Sequence, residues 1–267
     1  MRRTASLAAA LAVTASLVLA GCGSSSDDSS SSSSSSASAS TDSLKGTVTV
    51  FAASSLTESF GTLGKQFEAA HPGVTVKFNF GASSALAESI SQGAPADVFA
   101  SASAKNMASV VTAGDAKDSK TFATNTMEIA VPPTNPGKVT ALADLAKPSL
   151  KIALCQAQVP CGATAQKVIT KAKLTVKAKT LGADVKSVLT TVELGEVDAG
   201  IVFKTDVQAA GSKVKGIEIP ADQNASTSYP IATLSKAPNA AAAAAFEEYV
   251  LSADGTKVLT AAGFTAP

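Results

Sequence analysis

The segment Thr47-Val-Thr-Val-Phe-Ala-Ala-Ser-Ser-Leu-Thr57 passes from an apolar, β-branched run through two serines into a helical pattern. Its first part, Thr47–Ala52, reads as a strand, because β-branched and aromatic side chains suit a pleated, buried surface. Beyond it, Leu56, Phe60, Leu63 and Phe67 are spaced by 4, 3 and 4 residues and share one face of a helix. His71-Pro-Gly73 stops that helix, since proline and glycine both break the helical pattern. The alternation continues outward with a strand over Val74–Phe80, a helix over Ser84–Ser91, a strand over Asp97–Ala102 and a helix over Lys105–Ala113. Such a βαβαβα run predicts a parallel sheet covered by helices.

A second α/β set follows. Met127–Val131, Lys151–Cys155, Ala199–Phe203 and Val214–Ile219 read as strands, and Gly162–Lys173 and Val185–Leu194 as helices. After Tyr229-Pro-Ile-Ala-Thr-Leu234, helices over Asn239–Leu251 and Gly255–Ala262 close the chain. The fold class is therefore α/β, with two α/β lobes and a ligand cleft between them at the carboxyl ends of strands.

Upstream of this part, Met1–Cys22 has a basic start at Arg2 and Arg3, an apolar run Ala5–Leu19 and small residues before Cys22. That run is too short to span a bilayer and reads as a secretory signal. Leu19-Ala-Gly-Cys22 resembles the bacterial lipobox, which implies cleavage before Cys22 and lipidation of its thiol; an ordinary signal with an incidental cysteine is the alternative. Between residues 24 and 43 there are 14 serines among 20 residues. Such a segment buries no core and makes a flexible tether with a reach of roughly 25 Å.

Of 267 residues, 22 are Lys or Arg and 21 Asp or Glu, and charged residues make up 16%. The balance leaves no basic footprint for nucleic acid. One histidine, His71, and the lack of a CxxC pair exclude the usual zinc constellations.

Two serine-bearing turns, Phe51-Ala-Ala-Ser-Ser-Leu-Thr57 and Phe80-Gly-Ala-Ser-Ser-Ala-Leu-Ala87, lie where a strand passes into a helix. A serine there can simply cap the helix. Two such turns at strand carboxyl ends also supply hydroxyls, free N–H groups and the positive end of a helix dipole, which together bind anions. Val159-Pro-Cys-Gly162 and Gly182-Ala-Asp-Val185 are comparable helix starts in the second lobe. Both arginines lie in the signal, so any anion is held by neutral donors or by lysine. A protonated anion also needs an acceptor, whereas a fully ionised oxyanion needs donors alone.

Phe51-Ala-Ala-Ser-Ser-Leu-Thr57, Gly81-Ala-Ser-Ser-Ala-Leu-Ala87, Gly93-Ala-Pro-Ala-Asp-Val-Phe99, Val159-Pro-Cys-Gly162, Gly200-Ile-Val-Phe-Lys-Thr-Asp206 and Tyr229-Pro-Ile-Ala232 together resemble the periplasmic molybdate-binding proteins of ABC transporters. The resemblance runs from about Gly46 to Phe264. It implies a type II periplasmic-binding-protein fold, with lobe 1 formed by residues 44–125 plus 226–267 and lobe 2 by residues 126–225. Residues 1–21 would be the lipoprotein signal peptide, and 22–43 the lipidated cysteine and tether. It further implies molybdate or tungstate as ligand, no cofactor, no catalysis, and delivery to a membrane permease by a monomer. The protein would sit outside the cytoplasm, lipid-anchored to the outer face of the cell membrane. Carried over by motif, the oxyanion ligands fall on the hydroxyls of Ser55 and Ser83 and the N–H groups of Cys161 and Val185.

Position 203 departs from the family pattern, which has a tyrosine whose hydroxyl reaches the anion. Here Phe203 removes one direct bond, of a kind worth about 1.5–3 kcal/mol. Cys155 and Cys161 are expected to form a disulfide in an oxidising exterior. Other readings remain: a receptor for sulfate, thiosulfate or another oxyanion, an inert surface lipoprotein with serine caps, and a secreted serine hydrolase. The hydrolase lacks a G-x-S-x-G elbow, and His71 lies in a turn opposite the serine ends.

Overall fold

A computed structural model describes residues 44–267. The expected signal peptide, Cys22 and the serine-rich tether lie outside these residues. The first half runs β1 (Gly46–Ala53), a 3-10 turn (Ser54–Leu56), α1 (Thr57–Ala70), β2 (Val74–Gly81), α2 (Ser83–Ser91), β3 (Val98–Ala100) and α3 (Ala104–Thr112). Then follow β4 (Lys120–Val131), β5 (Ile152–Cys155), α4 (Pro160–Lys171), β6 (Ala178–Gly182), α5 (Val185–Glu193) and β7 (Ala199–Phe203). The chain ends with α6 (Lys204–Ala210), β8 (Lys215–Glu218), β9 (Ser226–Thr233), α7 (Ala240–Leu251) and α8 (Ala253–Ala261).

The strands join in the order β2-β1-β3-β9-β4-β7-β5-β6, with β8 beside β4. β1 pairs in parallel with β2 and β3, as the helix-linked alternation requires. β9 then pairs antiparallel with β3, and closes the first lobe after the chain has visited the second. In the second lobe β5 is parallel to both β6 and β7. β4 belongs to both lobes: Lys120–Thr126 pairs with β9, while Met127–Val131 pairs with β7 and β8. At this crossing the Asn224 side chain accepts from the Met127 N–H at 3.1 Å and donates to the Met127 carbonyl at 2.8 Å.

Each lobe has its own buried core. Leu56, Phe60, Leu63 and Phe67 are all fully buried, so the 4-3-4 spacing marks the face that α1 lays on the sheet. There they meet Phe246 and Val250 of α7, with the Phe60, Phe67 and Phe246 rings in edge-to-face contact. Phe51 points to the other face, against Leu86 and Ile90 of α2 and Met107 and Val110 of α3. The second core gathers Ile129, Ile152, Val168, Val188, Val192 and Ile201.

Three elements carry little periodic signal in the sequence. Residues 120–126 of β4 are mostly polar, β6 is an exposed edge strand, and α6 is short. The helix over Pro160–Lys171 also starts two residues earlier than its pattern suggests, placing Cys161 inside the first turn. No described helix is long and apolar enough to cross a membrane.

Candidate anion-binding site

Ser55, Ser83, Cys161, Val185 and Phe203, five positions scattered over the sequence, line one cavity between the lobes. Each sits at or just beyond the carboxyl end of a strand, respectively β1, β2, β5, β6 and β7. The cavity is small, with about 210 Å³ of atom-free space that includes part of its open mouth. That is room for one compact group, and below the roughly 300–1,000 Å³ of pockets that hold drug-sized ligands. All five residues are at most 5% exposed.

Four helix starts converge here: the 3-10 turn leading into α1, and the first turns of α2, α4 and α5. First-turn N–H groups have no carbonyl to bind within their own helix, and each start carries a partial positive charge. Cys161 and Val185 lie in such first turns. α4 begins with Pro160, whose missing N–H costs nothing at that position. A Cβ on Gly162 would collide with the Gln156 carbonyl, so glycine lets the first turn of α4 sit tightly on the end of β5. The Cys155–Cys161 disulfide, with Cα atoms 5.8 Å apart, ties the same turn to that strand.

The serines do not cap their helices. The N-caps of the 3-10 turn and of α2 are Ala53 and Ala82, neither with a side-chain cap. Instead the Ser83 hydroxyl oxygen accepts from the Ala102 N–H at 2.9 Å. Ser55 Oγ is 2.9 Å from the Tyr229 hydroxyl. Ser54, one residue earlier, also lines the cavity.

Among the described residues no lysine or histidine lines the cavity, and Asp184 is its one ionisable side chain. Asp184 Oδ1 accepts from the Ser187 N–H and hydroxyl, capping α5. Behind Phe203, Asp206 is fully buried, and its Oδ2 accepts from the Phe203 N–H at 3.2 Å. Its Oδ1 has no aligned hydrogen bond but faces Lys186 Nζ at 3.2 Å, a contact of charge without hydrogen-bond geometry. Burial pushes this carboxyl up to about 6, against the pull of Lys186. Lys186 also lies 2.9 Å from Glu58 of α1. Among the described residues no group of three or more His, Cys, Asp or Glu is arranged to hold a metal ion.

His71 and Asp97 lie apart from the cavity. His71 ends α1 and packs its ring 4.4 Å from that of Phe67. Asp97 is a structural tie, accepting from the Thr49 and Asn239 N–H groups. Tyr229 entered the sequence reading only within the Tyr229-Pro-Ile-Ala232 motif, and Asn125 and Lys186 carried no local signal, because their partners are remote in the chain.

Residues 48–265 match the family model of bacterial extracellular solute-binding proteins. The molybdate-binding protein ModA of Mycobacterium tuberculosis is 38% identical over 222 residues, covering 83% of this chain and 85% of its own. YvgL of Bacillus subtilis, named as an ABC transporter substrate-binding lipoprotein, is 38% identical over 263 residues and covers 96% of each chain. The solved periplasmic molybdate-binding protein of Azotobacter vinelandii shares the fold, with a TM-score of 0.74 at 21% identity over 82% of this chain and 99% of that one.

Proposed function

We infer that this chain, which belongs to the family of bacterial extracellular solute-binding proteins, captures molybdate between its two lobes for uptake by an ABC transporter. The observation that carries this reading is the convergence of four helix starts and two buried serine hydroxyls on one small cavity whose lining, among the described residues, holds no cation and whose one carboxylate, Asp184, caps α5. Such a site suits a compact, fully ionised oxyanion, because fixed dipoles replace its hydration while no counter-charge is needed. In detail, the Ser55 and Ser83 hydroxyls and the Cys161 and Val185 N–H groups would donate to the oxygens, with Phe203 as an apolar wall. Tungstate, of the same charge and shape, would bind as well.

Both lobes contribute donors, so the anion favours the state in which the lobes are together. We assign residues 44–125 and 226–267 to lobe 1 and residues 126–225 to lobe 2, a division supported by the change of β4 partners after Thr126. The protein would act outside the cytoplasm as a monomer, anchored through lipid on Cys22 and held by the 22–43 tether, and would pass its cargo to a membrane permease. It would have no catalytic role: a serine hydrolase needs a base beside the serine, and His71 lies at the far end of α1.

Calorimetric titration of the purified, ligand-free protein with molybdate, tungstate, sulfate and phosphate tests the reading. One-to-one binding of molybdate and tungstate, with hydrogen phosphate silent, is expected. A preference for sulfate would change the cargo, and silence with all four would overturn the site.

A further inference from the structure

We propose that Tyr229 is a positioning residue for the anion, its hydroxyl donating to Ser55 Oγ and thereby turning the Ser55 proton into the cavity. This role rests on the reading of the cavity as an oxyanion site. Tyr229 does not line the cavity; it stands behind it on β9, fully buried, with its hydroxyl 2.9 Å from Ser55 Oγ.

The direction of that hydrogen bond follows from its neighbours. Asn125 Oδ1 accepts from the Thr126 N–H at 3.0 Å, so the amide nitrogen must face the other way. That nitrogen donates to Thr205 Oγ1 at 2.8 Å and, more weakly, to the Tyr229 oxygen at 3.4 Å. The Tyr229 oxygen is then an acceptor from Asn125, and its one proton has Ser55 Oγ as its hydrogen-bond partner. Reversing the bond would leave a buried O–H without an acceptor, at a cost of roughly 1–3 kcal/mol. Burial also pushes the phenol well above its ordinary range and keeps the proton on. With a lone pair of Ser55 taken, its own hydrogen is free for an oxyanion.

Ser83 is prepared in the same sense by the Ala102 N–H, so both serines present hydrogens to the cavity. Ser55 and Tyr229 are 174 residues apart, and the ring of Tyr229 packs edge-on to Phe203 at 6.0 Å. The hydroxyl missing at position 203 is thus flanked by one that acts through Ser55.

The test compares molybdate affinity in the parent protein, Tyr229→Phe, Ser55→Ala and the double variant, with the melting of each ligand-free protein as a folding control. Tyr229→Phe should weaken binding about two- to tenfold, and should cost nothing further once Ser55 is alanine. Asn125→Ala, which removes the donor to the Tyr229 oxygen, should give a smaller loss that also vanishes in the Ser55→Ala background. An unchanged affinity in Tyr229→Phe, or an equal loss in both backgrounds, overturns the positioning role alone. Silence of the parent toward molybdate, tungstate and sulfate overturns the site, and this role with it.

Discussion

Glu58 in the first turn of α1 meets Lys186 in the first turn of α5 across the cleft, with Lys186 Nζ 2.9 Å from both carboxylate oxygens. α1 packs on the first core and α5 on the second, so this ion pair bridges the two lobes. Glu58 remains half exposed, which limits the pair to about 0.2–1 kcal/mol.

Glu58→Gln should therefore speed molybdate release about two- to fivefold with little change in association, an effect that shrinks as salt rises. Stopped-flow dissociation at two ionic strengths checks it, and an unchanged release rate would show that the pair plays no part in closure. Lys186→Met should act differently, because it strips the buried Asp206 of its counter-charge and should lower folding stability by about 3 kcal/mol.

Asp206 makes stability depend on pH. Its carboxyl is raised from 3.8 to about 6 by burial, with Lys186 and the Phe203 N–H pulling down and Glu58 pushing up. The folded state therefore binds the proton more readily than the unfolded chain. This contribution is fully present below about pH 4 and is lost as pH rises through about 6. Urea unfolding from pH 4 to pH 7 should show a decline in the parent relative to Asp206→Asn; parallel curves would refute it.

Phe203→Tyr should tighten molybdate binding by about tenfold if its hydroxyl enters the cavity, the value of one bond to a charged oxygen. Phe203 lines the cavity at 1% exposure, so the new oxygen has no route to bulk water. Calorimetry on the variant decides; an equal or weaker affinity would mean that the small cavity has no room for it.

Reduction of the Cys155–Cys161 bond should cost stability and affinity together. The chain-entropy model assigns about 2.4 kcal/mol to a loop of this length. Cys161 also carries a cavity-facing first-turn position, so a looser turn should weaken binding several-fold. Denaturant unfolding and titration with and without reductant check both, and a loss of stability with unchanged affinity would separate the bond from the site.

Much of the first lobe was legible because its signals are local. Leu56, Phe60, Leu63 and Phe67 announce a helix face through spacing alone, and the serine turns announce strand-to-helix junctions. β6 was not legible: Lys179, Thr180 and Leu181 are all exposed on an edge strand, so nothing in their polarity alternates. The first half of β4 was hidden for a related reason, since its Thr and Asn residues pair through the backbone with β9 and bury little apolar surface.

The candidate site divides in the same way. The serine turns and the helix starts at Val159–Gly162 and Gly182–Val185 were legible one at a time, because helix starts and strand ends are written in neighbouring residues, whereas Ser55, Ser83, Cys161 and Val185 came forward as proposed donors through the family resemblance. The sequence by itself determined the α/β alternation, the helix faces and the lack of arginine after Arg3. Only the tertiary structure decided that these turns share one cavity, that Ser55 leans on Tyr229 rather than capping a helix, and that Lys186 reaches Glu58. The last two relations span 174 and 128 residues and depend on β4 and β9 carrying the chain between lobes. Contacts at that separation are set by the packing of whole elements, which no local pattern encodes.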